Sequence, residues 1–145
     1  MMIRKAAPKD AGALALLACE LWPENCEKEM AGEMARLLDN AEAACFLAWE
    51  ENEPAGFAQC QLRRDYVEGT ETSPVGYLEG IYVREKFRHQ GVARALLSAC
   101  ESWARAMGCT EFASDCELKN TQSLAFHKSV GFEEANRIIC FTKKL

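Results

Sequence analysis

Residues 77–97, YLEGIYVREKFRHQGVARALL, decide the fold. The first seven are rich in β-branched and aromatic side chains, which marks a central strand. From Gly91 the period changes. Val92, Leu96, Ala99, Trp103 and Met107 recur at steps of three and four, predicting a long helix closed by Gly108. Between strand and helix lie Arg84, Lys86, Arg88 and His89, and Arg94 follows in the first helical turn. A helix start presents unpaired N–H groups and a partial positive charge, so this junction attracts anions. Gly91 lets a ligand approach the backbone without a β-carbon in the way, and the small Ala93 preserves that approach. A phosphorylated ligand is the expectation, and a pyrophosphate suits it best.

Working outward, MMIRKAA reads as a first strand ending at Pro8. A helix follows over 8–22, with Leu14, Leu17 and Leu21 on one stripe and Asp10 near its start. Residues 27–40 repeat the pattern with Met30, Met34, Leu37 and Leu38 inward. Residues 44–67 read as a hairpin turning around Asn52 to Pro54, and 68–76 as a turn-rich loop. TEFASDC (110–116) is a strand, and 120–131 a short helix capped by Asn120 or Thr121 and stopped by Gly131. FEEANRIICFTKKL (132–145) is expected to close the chain as a strand. The order β-α-α-β-β-β-α-β-α-β predicts an α/β fold with a mixed sheet, one domain over 1–145.

Composition removes several function classes. A net charge of -5 and a pI near 5.2 give no broad basic face for nucleic acid. No apolar run approaches the roughly 18–20 residues of a membrane helix, so no membrane role is expected. The first ten residues lack the apolar stretch of a secretory signal, which makes the cytoplasm the expected location. Eight cysteines form no C-x-x-C pair, and His89 and His127 have no zinc-finger spacing. Buried reduced thiols and no metal are therefore expected. Asp65, Glu68, Glu71 and Glu79 make an acidic block with no intervening base, either a solvated face or the wall of a site for a cation.

The phosphate-binding spacings G-x-x-x-x-G-K-[ST] and G-x-G-x-x-G are absent, which disfavours a nucleoside triphosphate or a dinucleotide. What is present is R-x-x-G-x-A, Arg88 to Ala93, followed by N-x-x-S-x-x-F-H-x-x-x-G-F from Asn120 to Phe132. Together, in this element order, these resemble the acyl-CoA-binding loop and last helix of the GNAT N-acetyltransferase superfamily. The resemblance implies the GNAT fold with splayed central strands and acetyl-CoA as cosubstrate. The backbone N–H groups of His89, Gln90, Gly91, Val92 and Ala93, beside Arg88, would hold the CoA pyrophosphate. Backbone groups of Ile81 and Val83 would pair with the pantetheine, and Asn120 joins the cofactor-binding set.

Acetyl transfer to an amine needs a proton acceptor, an oxyanion donor and a proton for the departing thiolate. Glu79, mid-strand, and Asp115, at the end of the neighbouring strand, are the candidate acceptors; a structural ion pair accounts equally for either one alone. His127 stands where GNAT enzymes often carry a tyrosine, four residues before the GF pair. It is either the leaving-group acid or a packed helix residue, and Tyr66 and Tyr82 are other donors.

A narrower resemblance lies in ELWPE (20–24), RRDYVEGTETSPVGYLEGIYV (63–83) and ASDCELKNTQSLAFHKSVGFEE (113–134). These segments are similar to the aminoglycoside 6′-N-acetyltransferases. The resemblance implies acetylation of the 6′-amine of drugs such as kanamycin, tobramycin and amikacin, usually by a homodimer. It places Trp22 and Tyr66 on the sugar rings, and Glu79 and Asp115 on the amines. Asp65, Glu68, Glu71, Glu79, Asp115 and Glu117 would form an acidic cleft for a polycation beside the basic groove. Two rivals stay open: a GNAT enzyme for polyamines or peptide amines, and an acetyl-CoA-binding domain without turnover.

Overall fold

The computed structural model describes residues 1–145. Its sheet is built from β1 (Met2–Lys5), β2 (Ala43–Glu50), β3 (Glu53–Arg63), β4 (Val75–Val83) and β5 (Phe112–Ser114), in that spatial order. The first four strands are antiparallel neighbours, and β5 alone runs parallel to β4. Between them the chain makes α1 (Ala11–Leu21), α2 (Glu27–Leu38), α3 (Val92–Ala106) and α4 (Thr121–Ser129).

The alternation of side chains along a strand explains the layering. Ala44, Phe46 and Ala48 of β2 point to one face, where they meet Leu96, Leu97 and Cys100 of α3. Cys45 and Leu47 point to the other, against Leu14 and Leu17 of α1 and Met30 and Met34 of α2. Both faces of β2 are thus buried, and its continuous apolar run follows from that. At the entry to α1, buried Asp10 accepts two hydrogen bonds from Arg4, at 2.7 and 2.8 Å, and one from the Ala7 N–H at 2.7 Å. This ties β1 to α1.

All the expected elements but the last are present, with β5 trimmed to three residues. The closing strand over 132–145 is not formed. No residue from 133 to 145 lies in a helix or strand, and no backbone group there bonds to another backbone group. The apolar pattern IICF is strand-like, but a strand exists only where an edge accepts it. Here the segment lies against the 67–70 loop instead: Asn136 Nδ2 donates to Glu68 at 2.9 Å, and Ala135 sits over Gly69. Beyond that point Ile138, Ile139 and Phe141 are 71%, 81% and 87% exposed, so Cys140 is exposed rather than buried. Cys45, Cys60, Cys100 and Cys109 are buried free thiols, and burial pushes Cys45 up to about 12.

Candidate active site

The site is built around the point where β4 and β5 part. The two strands pair only at Gly76–Phe112, Tyr77–Ala113 and Leu78–Ser114. From Glu79 to Val83 the β5 side of β4 has no strand partner, so backbone groups there are open to a ligand, although the Val83 carbonyl already accepts from Arg88 Nε. On the other side, the register with β3 shifts between Gln59 and Cys60, which leaves Glu79 as the extra residue of a bulge. Bulges re-aim side chains. This one turns Glu79 and Gly80 toward the α1–α2 face.

Just past β4, a short 3-10 turn at Glu85–Phe87 buries Phe87 and leads into the basic turn. His89 has φ 62° and Gly91 φ 80°, and Gly91 caps α3 without any side-chain hydrogen bond. Two left-handed residues in one turn gather backbone N–H groups into an anion-binding concavity at the helix start. A β-carbon on Gly91 would meet nothing within 4 Å, so the space before the turn is open.

The bases around it are not equivalent. Arg84 is bound to Glu20 (2.7 Å), Glu53 (3.5 Å) and the Pro54 carbonyl (3.1 Å), and Lys86 to Glu53 (2.7 Å). Their charge is largely neutralised. Arg88, whose Nε donates to the Val83 carbonyl at 2.7 Å, and Arg94, which donates to the Ser129 carbonyl at 3.2 Å, have no carboxylate partner. Asn120 accepts from the Ser123 N–H at 3.0 Å and caps α4, which leaves its amide NH2 available.

On the opposite side of β4 lies a cavity of about 500 Å³ between the α1–α2 connection, α2, Gln59 and Glu79. Trp22 forms one wall, its ring 6.2 Å from Phe57 in an edge arrangement. Gly80 makes this possible: a β-carbon there would stand 2.8 Å from the Trp22 ring. Glu24, Glu33 and Glu79 bring three carboxylates to the walls and no base lines them. Glu79 is gripped by Arg63, Nη2 lying 2.5 and 3.0 Å from its two oxygens. The Arg63 guanidinium stacks over the Tyr77 ring at 3.4 Å, and the Tyr77 hydroxyl donates to Asp115. Burial, then the Asp115 carboxylate, pushes the Tyr77 phenol well above its usual range, so it stays a donor. Glu79 and Asp115 are therefore linked through Arg63 and Tyr77.

His127 stands on α4 facing the end of β5, with Nε2 2.8 Å from Ser114 Oγ and Nδ1 2.7 Å from the Ser123 carbonyl. Tyr66 lies on the 64–74 loop, 76% exposed and outside the cavity wall. Tyr82 donates to Glu20 at 3.1 Å, away from the cavity. Asp65, Glu68, Glu71 and Glu117 are exposed and do not line it either. Glu24, Glu33, Arg63, Tyr77 and Ser114 are participants the sequence reading passed over. Glu33 was findable, because it falls between Met30, Met34 and Leu37 on one helical stripe.

The sequence profile of the acetyltransferase (GNAT) family matches residues 13–132. The chain belongs to that family. Acetyl-CoA is accordingly its cosubstrate. An aminoglycoside N(6′)-acetyltransferase type 1 from Stenotrophomonas maltophilia is 46% identical over 99% of this chain and 93% of its own length. One of the same description from Acinetobacter haemolyticus is 43% identical over 87% of this chain and 86% of its own. Among solved structures, AAC(6′)-Iy in complex with a bisubstrate analogue, CoA-S-monomethyl-acetylneamine, superposes with TM-score 0.95 at 35% identity, covering 99% of this chain and 98% of that one. AAC(6′)-Ig from Acinetobacter haemolyticus superposes with TM-score 0.94 at 40% identity over 100% and 99% of the two chains. Within the GNAT family, this chain is thus similar to aminoglycoside-modifying members.

Proposed function

We propose that this enzyme transfers the acetyl group of acetyl-CoA to the 6′-amine of aminoglycosides, by direct attack of the amine on the thioester. The observation that carries the reading is the pairing of two oppositely charged sites across one bulged strand. An anion-binding turn stands at the start of α3, and a cavity walled by Trp22, Glu24, Glu33 and Glu79 stands on the α1–α2 face. Opposite charges side by side sort an anionic cosubstrate from a polycationic acceptor.

In this reading the backbone N–H groups of residues 89–93 hold the pyrophosphate with Arg88, and Asn120 contributes its free amide. Ile81 and Val83 pair with the pantetheine along the unpartnered side of β4. A β4 backbone N–H stabilises the tetrahedral oxyanion. Trp22 stacks on a sugar ring, Glu79 and Asp115 receive the amines, and one of them takes the proton, directly or through water. Tyr66, exposed on the 64–74 loop, closes on a bound drug. His127 returns a proton to the departing thiolate.

The protein works as a homodimer of single-domain chains, in the cytoplasm. The exposed Ile138, Ile139 and Phe141 support the dimer, because an apolar segment without an intrachain partner is stabilised by a second copy. Eight free cysteines accord with a reducing compartment. No helix is long and apolar enough to cross a membrane.

Product analysis tests the function. Incubation with acetyl-CoA and kanamycin is expected to yield a monoacetylated drug whose NMR shifts move at the 6′-methylene. Acetylation at another amine would contradict the regiochemistry, and no acetylation at all would sink the reading.

A further inference from the structure

Glu79 presents a conflict. It is the strand carboxylate that faces the substrate cavity, yet Arg63 already holds it through both oxygens. Its side chain is only 15% exposed, so it is costly to leave without a cationic partner. Arg63 is different. It is the last residue of β3, its side chain is 39% exposed, and its guanidinium lies over the Tyr77 ring, 3.4 Å from the centroid. A cation stacked on an aromatic face at a partly exposed position is only weakly held. No base lines the cavity itself, where Glu24 and Glu33 join Glu79.

We propose that Arg63 is an internal competitor for the substrate's ammonium group at Glu79, displaced when a polycationic substrate binds, and so sets the affinity for the amine. The inference rests on the aminoglycoside reading above. Displacement keeps the charge at Glu79 compensated throughout: one cation leaves as another arrives. The cost of parting the Arg63–Glu79 pair is subtracted from the affinity of every substrate, and a weakly charged amine does not meet it. Tyr77 and Asp115 stay in place to receive the second amine.

The test compares wild type, Arg63→Met, Arg63→Lys, Glu79→Gln and Arg63→Met/Glu79→Gln. Kanamycin Kd is measured by calorimetry in the presence of CoA, with Tm recorded for each variant. Methionine keeps the packing on Tyr77 and removes the charge. Arg63→Met is expected to lower Kd by roughly three- to tenfold, as expected for losing a partly exposed ion pair. Arg63→Lys, with a charge but no fork, should fall between it and wild type. In the Glu79→Gln background, Arg63→Met should change Kd less than twofold. An unchanged or raised Kd in folded Arg63→Met overturns the proposal, as does a gain that persists without Glu79. If Arg63→Met does not fold, a Kd for Arg63→Lys at or above wild type overturns it instead. Wild type that neither binds nor acetylates kanamycin overturns the functional reading itself, and this is seen before any variant is made.

Discussion

The imidazole of His127 bridges α4 and β5, its Nε2 2.8 Å from Ser114 Oγ while Nδ1 faces the Ser123 carbonyl at 2.7 Å. A carbonyl only accepts, so Nδ1 carries a proton and the serine hydroxyl faces the other ring nitrogen, Nε2. Ser114 in turn lies 3.4 Å from the Leu78 carbonyl, at the last residue pair before β4 and β5 separate. The pair therefore stands where the open side of β4 begins.

If His127 protonates the leaving thiolate, His127→Phe should lower kcat by about tenfold or more, since general acids contribute on the order of 10²–10⁴. The acetyl-CoA KM should stay near wild type. Ser114→Ala should reduce kcat less. Steady-state kinetics checks both, and an unchanged kcat in His127→Phe would assign the ring to packing against Phe126 and Phe132.

For the carboxylates, Glu79→Gln and Asp115→Asn are each expected to lower kcat/KM for kanamycin by roughly 100-fold. Binding of CoA, measured by calorimetry, should be unaltered, because the basic turn is formed by a different segment. Wild-type rates in both variants would remove them from the chemistry.

Gly91 carries a different expectation. Its φ of 80° is a left-handed conformation that costs an alanine roughly 1–2 kcal/mol. Gly91→Ala should lower Tm modestly and raise KM for acetyl-CoA while leaving KM for kanamycin unchanged. A Tm loss without any effect on acetyl-CoA would limit Gly91 to a structural role.

Asp10 governs acid stability. Hydrogen bonds from Arg4 chiefly, then from the Ala7 N–H, lower its pKa from 3.8 to about 2 against the opposing effect of burial. A depressed carboxylate stabilises the fold above its unfolded pKa and loses that contribution as pH falls through the folded value. About 2 kcal/mol should therefore be present at pH 7 and fade between pH 4 and pH 2. Asp10→Asn should melt lower than wild type at pH 7, with the gap closing toward pH 2.

The tail offers a test of assembly. Ile139→Asp is expected to convert a dimer to a monomer by light scattering, with the 1–132 fold retained by circular dichroism. A wild-type protein that is monomeric at micromolar concentration would contradict the dimer.

Local signals made much of this legible. The β4 residues 77–83, Gly91 and the α3 stripe are set by period and backbone chemistry that neighbours in sequence determine. What escaped depends on distant partners. Arg84 and Lys86 read as a basic patch, yet their carboxylates, Glu20 and Glu53, lie 64 and 33 residues away. Arg63 and Tyr77 gained meaning only when a bulge turned Glu79 toward them. The strand expected over 132–145 is absent, because pairing is a property of two edges and not of one segment.

The most direct measurement is the rate of CoA release from acetyl-CoA with kanamycin, spermidine, a lysine-rich peptide or no acceptor. Fast release is expected with kanamycin and background rates with the other three. Release driven by spermidine or the peptide, with none from kanamycin, would contradict it.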